Sequence, residues 1–84
     1  MKKVTVYTKP TCPYCDRAKK LLTQLEVAYQ EIDVLENPEV RDEMAEQYNW
    51  ATVPMIVVGD EFIGGFDDMQ ALHDKGELLP KIQA

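Results

Sequence analysis

Long apolar runs are absent from this 84-residue chain. The longest aliphatic stretch is Met55-Ile56-Val57-Val58, far short of the roughly 20 residues a membrane-spanning helix needs. The N-terminus passes from Lys2-Lys3 directly into Val4-Thr5-Val6-Tyr7, with no apolar segment of the secretory kind. The expectation is a soluble, uncleaved, cytoplasmic protein with no membrane partner. Cationic residues are scarce too: 9 Lys and Arg stand against 15 Asp and Glu, for a net charge of −6. Nucleic-acid affinity comes largely from Lys and Arg on phosphates, so nucleic acid is not an expected partner. Cysteine is limited to Cys12 and Cys15, and His73 is the only histidine. A secreted disulfide scaffold needs more bridges, and two Cys with one distant His cannot complete a four-ligand zinc site. No metal is expected.

What is present is ordinary globular composition, with 45% apolar and 29% charged residues, which argues against disorder. The length fits one domain over residues 1–84 and a monomer with a radius of about 12 Å. Charge is uneven: residues 1–20 carry +5 and the remainder −11. A locally basic segment on an acidic protein can attract a small anion. Lys2, Lys3, Lys19 and Lys20 read as a solvated surface.

Val4 to Tyr7 is β-branched and aromatic and predicts a strand. After a loop, Pro13 suits the first position of a helix, where a missing N–H costs nothing. Ala18, Leu21, Leu22 and Leu25 then recur at helical spacing, so a helix of about 13–26 is predicted. Tyr29 to Val34 alternates as a second strand. Asn37-Pro38 starts a second helix, with Val40, Met44 and Tyr48 on one face. Met55 to Val58 is a third strand, and Gly59-Asp60 turns into a short fourth, Glu61 to Ile63. Gly64-Gly65 breaks it. Asp67 or Asp68 can cap a third helix that Gly76 stops, and a last turn holds Leu78, Leu79 and Ile82. The order β-α-β-α-β-β-α gives a right-handed parallel βαβ unit followed by an antiparallel hairpin. The fold class is α/β: a thioredoxin-like, four-stranded mixed sheet with helices on both faces.

Cys12-Pro13-Tyr14-Cys15 falls at the junction of the first strand and first helix, where a Cys-x-x-Cys pattern points to redox chemistry. Cys12 is at the N-cap or one residue from it, where side chains accept hydrogen bonds from first-turn N–H groups and the helix dipole favours negative charge. Lys9 adds a positive charge, and Asp16 opposes it but can point to solvent. The expected balance lowers the Cys12 thiol below its free value of about 8.5. A helical i to i+3 step puts the two Cα atoms about 5 Å apart, within disulfide range. Cys12 is therefore expected to be the exposed attacking thiol and Cys15 the partly buried resolving thiol.

Thr8-Lys9-Pro10-Thr11-Cys12-Pro13-Tyr14-Cys15, Thr52-Val53-Pro54 and Gly64-Gly65-Phe66-Asp67-Asp68 together resemble the dithiol glutaredoxins, the short bacterial type above all, over essentially the whole chain. Thioredoxin carries Gly-Pro between its cysteines, and this chain does not. The resemblance implies glutathione as cosubstrate, with no permanently bound cofactor, and disulfide or glutathionylated proteins as substrates. It implies that Val53 pairs through its backbone with the cysteinyl part of glutathione, like an added strand, and that Pro54 is cis. Lys9 and Arg41 correspond to side chains near the glycine carboxylate, Thr52 either helps with its hydroxyl or is a loop threonine, and Tyr14 packs against the tripeptide. Gly65 allows close backbone approach. Helix N–H groups near Asp67 hold the γ-glutamyl carboxylate, and Asp67 and Asp68 suit its ammonium, Asp68 the more strongly. Asn49-Trp50-Ala51 departs from relatives that carry Gly and a basic or polar residue there. Trp50 lines a target surface or packs on the sheet edge. His73 reads as structural or solvated.

The function implied is a glutathione-dependent thiol-disulfide oxidoreductase, acting on protein disulfides through both cysteines and on glutathione mixed disulfides through Cys12 alone, with ribonucleotide reductase among the acceptors such proteins supply. Two alternatives keep part of this pattern: a glutaredoxin-like donor reduced by thioredoxin reductase, and an iron–sulfur carrier. Lys9, Asp67 and Asp68 argue against the first. The second cysteine and Pro13 argue against the second, whose members usually carry one cysteine followed by Gly-Phe-Ser.

Overall fold

The computed structural model describes residues 1–84. Four strands, β1 (Val4–Thr8), β2 (Tyr29–Asp33), β3 (Met55–Val58) and β4 (Glu61–Gly64), form one sheet in the order β2-β1-β3-β4. β1 and β2 are parallel, with Val4 opposite Tyr29 and Thr8 opposite Asp33. β3 runs antiparallel to both β1 and β4. Four helices complete the chain: α1 (Pro13–Gln24), α2 (Pro38–Tyr48), α3 (Phe66–Asp74) and α4 (Leu78–Gln83). No helix is long and apolar enough to cross a membrane. The radius of gyration is 12.0 Å.

The two-residue period of the strands sorts their side chains onto two faces. Val4, Val6, Ile56 and Val58 pack with Ala18, Leu21 and Leu22 of α1, Met69 of α3, and Leu78 and Ile82 of α4. Met55 and Val57 point the other way, onto Met44 of α2, beside Val34. β3 is central and covered on both sides, so all four of its residues are buried. That is why its sequence reads as continuous aliphatic rather than alternating.

Helix endings explain where sequence and structure part. α3 ends as Gly76 announces: Gly76 has φ +72°, and its N–H and that of Glu77 bond back to His73 and Leu72 at 2.9 and 2.8 Å. α1 ends in the same motif two residues before the expected limit, but with Glu26 in the left-handed position at φ +58°. The N–H groups of Glu26 and Val27 bond the carbonyls of Thr23 and Leu22 at 3.0 and 2.9 Å. No glycine marks this stop; burial of Val27 beneath the helix end selects it. The final segment is a helix rather than a turn, because Leu78 and Ile82 sit one turn apart and both anchor in the core.

Candidate active site

β1 delivers the chain to the site. Its last residue, Thr8, is buried, and its hydroxyl donates to Glu31 Oε2 on β2 at 2.7 Å. Lys19 of α1 donates to the same oxygen at 3.1 Å, tying β1, β2 and α1 together. The Thr8 hydroxyl first, then Lys19, holds the Glu31 carboxyl below its usual range against the opposing effect of burial, and Glu31 in turn raises Lys19. Lys19 also reaches Asp16 at 3.7 Å. The Asp16 side chain is otherwise turned to solvent, as the expected charge balance at the cysteines requires.

Thr11 adopts φ +54°, so the loop turns sharply just before the cysteine. Cys12 is the N-cap of α1, with extended backbone, and its Sγ accepts the N–H of Cys15 at 3.1 Å. Pro13 occupies the first helical position. Cys12 and Cys15 form a disulfide with their Cα atoms 5.2 Å apart, in line with the spacing expected from a helical turn. One expectation is corrected. Cys12 is only 7% exposed, so the attacking thiol is enclosed by its loop rather than open; Cys15 is deeper still, at 1%.

Val53-Pro54 is cis, and Cys12 Sγ lies 4.0 Å from the Val53 carbonyl oxygen. Two cavities meet beside this pair. One, of about 500 Å3, brings together Lys9, Arg41, Trp50, Thr52 and Val53. The other, of about 390 Å3, brings together Tyr14, Trp50, Thr52, Val53, Gly65 and Asp67, and also includes Pro54, Phe66 and Asp68. They share Trp50, Thr52 and Val53, so the two form one trough, cationic at the Lys9–Arg41 end and anionic at the Asp67–Asp68 end. Every binding residue expected from the sequence lines it. Tyr14 is half-exposed, with its ring 6.3 Å from Phe66 and Arg17 stacked over it at 5.1 Å.

The start of α3 differs from expectation. Neither Asp67 nor Asp68 is the N-cap; Gly65 is, and it has no side chain to offer. Asp68 caps instead by reaching back, its Oδ2 accepting the Gly65 N–H at 3.0 Å. The carboxylate rather than the helix start thus carries the cap, because Gly64-Gly65 leaves no nearer acceptor. A side chain on Gly64, at φ +121°, would begin 2.5 Å from Asp68 Oδ2. Trp50 meets the edge-packing reading. It packs edge-on against Phe62 of the edge strand at 5.4 Å, and it also lines both halves of the trough. Sequence reasoning did not find Phe66 or the Thr8–Glu31–Lys19 link. Phe66 was legible beside Gly65; the link was not, since it joins residues distant in sequence. His73 is half-buried on α3 and lines neither cavity.

A redox-active cysteine pair at a helix N-terminus beside a cis-proline, on a thioredoxin-like sheet, defines a thiol-disulfide oxidoreductase. The glutaredoxin family model matches residues 4–63. Glutaredoxin 3 of Escherichia coli K12 is 43% identical over 83 residues, 99% of this chain and 100% of that one. A Pseudomonas aeruginosa glutaredoxin is 45% identical over 78 residues, 93% of each chain. Among solved structures, the buckwheat glutaredoxin–glutathione complex superposes with a TM-score of 0.92 at 30% identity, covering 98% of this chain and 77% of that one. The Brucella melitensis glutaredoxin has a TM-score of 0.86 at 43% identity, covering 100% and 94%. This chain belongs to the glutaredoxin family and is an enzyme of thiol-disulfide exchange.

Proposed function

We propose that the protein is a glutathione-dependent oxidoreductase and that the trough is its glutathione site. The charge order of the trough carries this reading. Glutathione has a carboxylate at its glycine end, an ammonium and a second carboxylate at its γ-glutamyl end, and a thiol between. Lys9 and Arg41 suit the glycine carboxylate, while Asp67 and Asp68 suit the ammonium. Val53, between them and 4.0 Å from Cys12 Sγ through its carbonyl, offers backbone for the cysteinyl residue to pair with. That seats the ligand sulfur against Cys12. The buckwheat relative was solved as a glutathione complex.

Two routes follow from the two thiols. With a glutathionylated protein, the Cys12 thiolate attacks the glutathione sulfur and the protein thiolate leaves. A second glutathione thiolate then attacks the Cys12 mixed disulfide, releasing glutathione disulfide and restoring Cys12. With a protein disulfide, Cys12 forms a mixed disulfide with one target sulfur. Cys15 next attacks Cys12 Sγ, the target leaves as a dithiol, and the Cys12–Cys15 disulfide remains. Two glutathiones reduce that disulfide. The Cys15 N–H on Cys12 Sγ favours negative charge on the attacking and leaving sulfur. The protein acts as a monomer in a reducing cytoplasm, on protein acceptors that include ribonucleotide reductase.

The test supplies NADPH and a small mixed disulfide with two donor systems side by side. Glutathione plus glutathione reductase is expected to support turnover, and thioredoxin reductase alone is not. Turnover only with thioredoxin reductase would overturn the glutathione site.

A further inference from the structure

Cys12, Asp16 and Lys19 are spaced by four and then three residues, so they fall along one stripe of α1. Cys12 heads that stripe as the N-cap, and the Asp16 N–H donates to its carbonyl at 3.1 Å. Helical side chains lean toward the N-terminus, and the free N–H groups of a first turn attract an anion. Without a partner, the Asp16 carboxylate is therefore drawn toward the turn that serves the Cys12 sulfur through the Cys15 N–H. There a second negative charge disfavours a thiolate. Lys19 draws the carboxylate the other way, its Nζ 3.7 Å from Asp16 Oδ1. This lysine is held in place. Its side chain is only 28% exposed, and Glu31 of β2 accepts from its ammonium at 3.1 Å. Glu31 first, and Asp16 with it, keep Lys19 above its usual range, so it stays charged wherever a thiol titrates. The other charges about the cysteine pair are Lys9 in the preceding loop, Arg41 on α2, and Asp67 and Asp68 on α3. On α1 itself, Arg17 stacks over Tyr14 and Lys20 is exposed. Lys19 alone pairs with Asp16.

We propose that Lys19 is a positioning residue for the thiol chemistry: anchored on Glu31, it holds the Asp16 carboxylate back from Cys12 and so favours the Cys12 thiolate. Lys19 contacts Asp16 and Glu31 and no reacting sulfur, so it acts through Asp16. The inference rests on thiol-disulfide exchange and not on the glutathione site. A lowered thiol serves that exchange twice, by raising the thiolate fraction for attack and by making Cys12 a better leaving group when its mixed disulfide is resolved. Residues four apart on a helix are about 6 Å apart, and a unit charge at that distance in water changes an ionisation about threefold. Lys19 itself is two turns from Cys12, about 11 Å, beyond the Debye length of about 8 Å at physiological salt. Its direct effect on the sulfur is therefore largely screened, and the route through Asp16 dominates.

The test alkylates the reduced, full-length protein with iodoacetamide across pH 3–8 and follows the Cys12 adduct by mass spectrometry. Lys19→Gln is expected to raise the pH midpoint of Cys12 alkylation by about 0.3–0.5, an about two- to threefold loss of thiolate below the midpoint. Lys19→Arg keeps the charge and is expected to restore the wild-type profile. In an Asp16→Asn background, where no carboxylate needs holding, Lys19→Gln is expected to leave the midpoint in place. An unmoved midpoint in Lys19→Gln alone overturns the inference. An equal rise in the Asp16→Asn background overturns it as well, since Lys19 then acts directly or through packing. A rise in Lys19→Arg makes the role structural and has the same consequence. If Lys19→Gln does not fold, Lys19→Met, which keeps the aliphatic stem without the charge, is read in its place with the same outcomes.

Discussion

The carboxylate of Asp68 occupies the space in which a side chain on Gly64 would begin, 2.5 Å from the position of its Cβ. The same oxygen caps α3 through the Gly65 N–H. One carboxylate therefore fixes the helix start and forms the anionic end of the trough. Gly64→Ala meets both this contact and a backbone at φ +121°. The expected loss is about 2–3 kcal/mol, a fall in Tm of about 8 °C or more, with a raised KM for glutathione. Thermal unfolding of the variant checks it; an unchanged Tm would contradict the packing described.

The two cysteines are expected to separate by substrate. Cys12→Ser abolishes turnover on every disulfide. Cys15→Ser keeps activity on a glutathionylated peptide but loses it on an intramolecular protein disulfide, where release of the mixed disulfide needs the second thiol. Coupled NADPH oxidation with both substrates measures this.

Lys9 and Arg41 lie at one end of the trough and are exposed. Lys9→Ala and Arg41→Ala are each expected to raise the KM for glutathione about three- to tenfold, as an exposed charge pair of about 1 kcal/mol implies. The effect shrinks at high salt, since exposed charges are screened. Steady-state kinetics at low and high ionic strength would show whether it does.

Glu26 holds a left-handed position that glycine adopts without penalty. Glu26→Gly is expected to stabilise the protein by about 0.5–1 kcal/mol, raising Tm by about 2–8 °C. A lowered Tm would mean that the α1 terminus is fixed by more than its backbone.

The link through Glu31 predicts a pH dependence. Its folded carboxyl sits below the usual 4.5, chiefly through the Thr8 hydroxyl and then Lys19. A lowered folded value contributes stability above the unfolded value, and that contribution is lost as pH falls through the folded one. Glu31→Gln is therefore expected to lower Tm at pH 7 by a few degrees, the contribution being about 0.5 kcal/mol for a partly exposed group. As pH falls below the usual 4.5 and through the lowered folded value, the two proteins converge. Tm measured across pH 3–7 for both would expose a constant offset if the link were packing alone.

The sequence by itself determined the first seven elements, their order and the pairing of the cysteines in one helical turn. Those features are local: a strand pattern in Val4 to Tyr7, proline at the start of α1, two thiols one helical turn apart. The glycine stop at Gly76 was legible for the same reason. Tertiary structure decided what depends on residues far apart in the chain. Glu26 ends α1 without a glycine because Val27 is buried there. Asp68 caps α3 from inside because Gly65 cannot. Cys12 is enclosed because the Val53 loop, 41 residues further on, closes over its sulfur. The trough exists only where Lys9, Arg41, Val53 and Asp67 are brought together. Local hydrogen bonding and periodicity are written residue by residue; the shape and charge of a cleft arise from packing between distant segments, which no window of sequence contains.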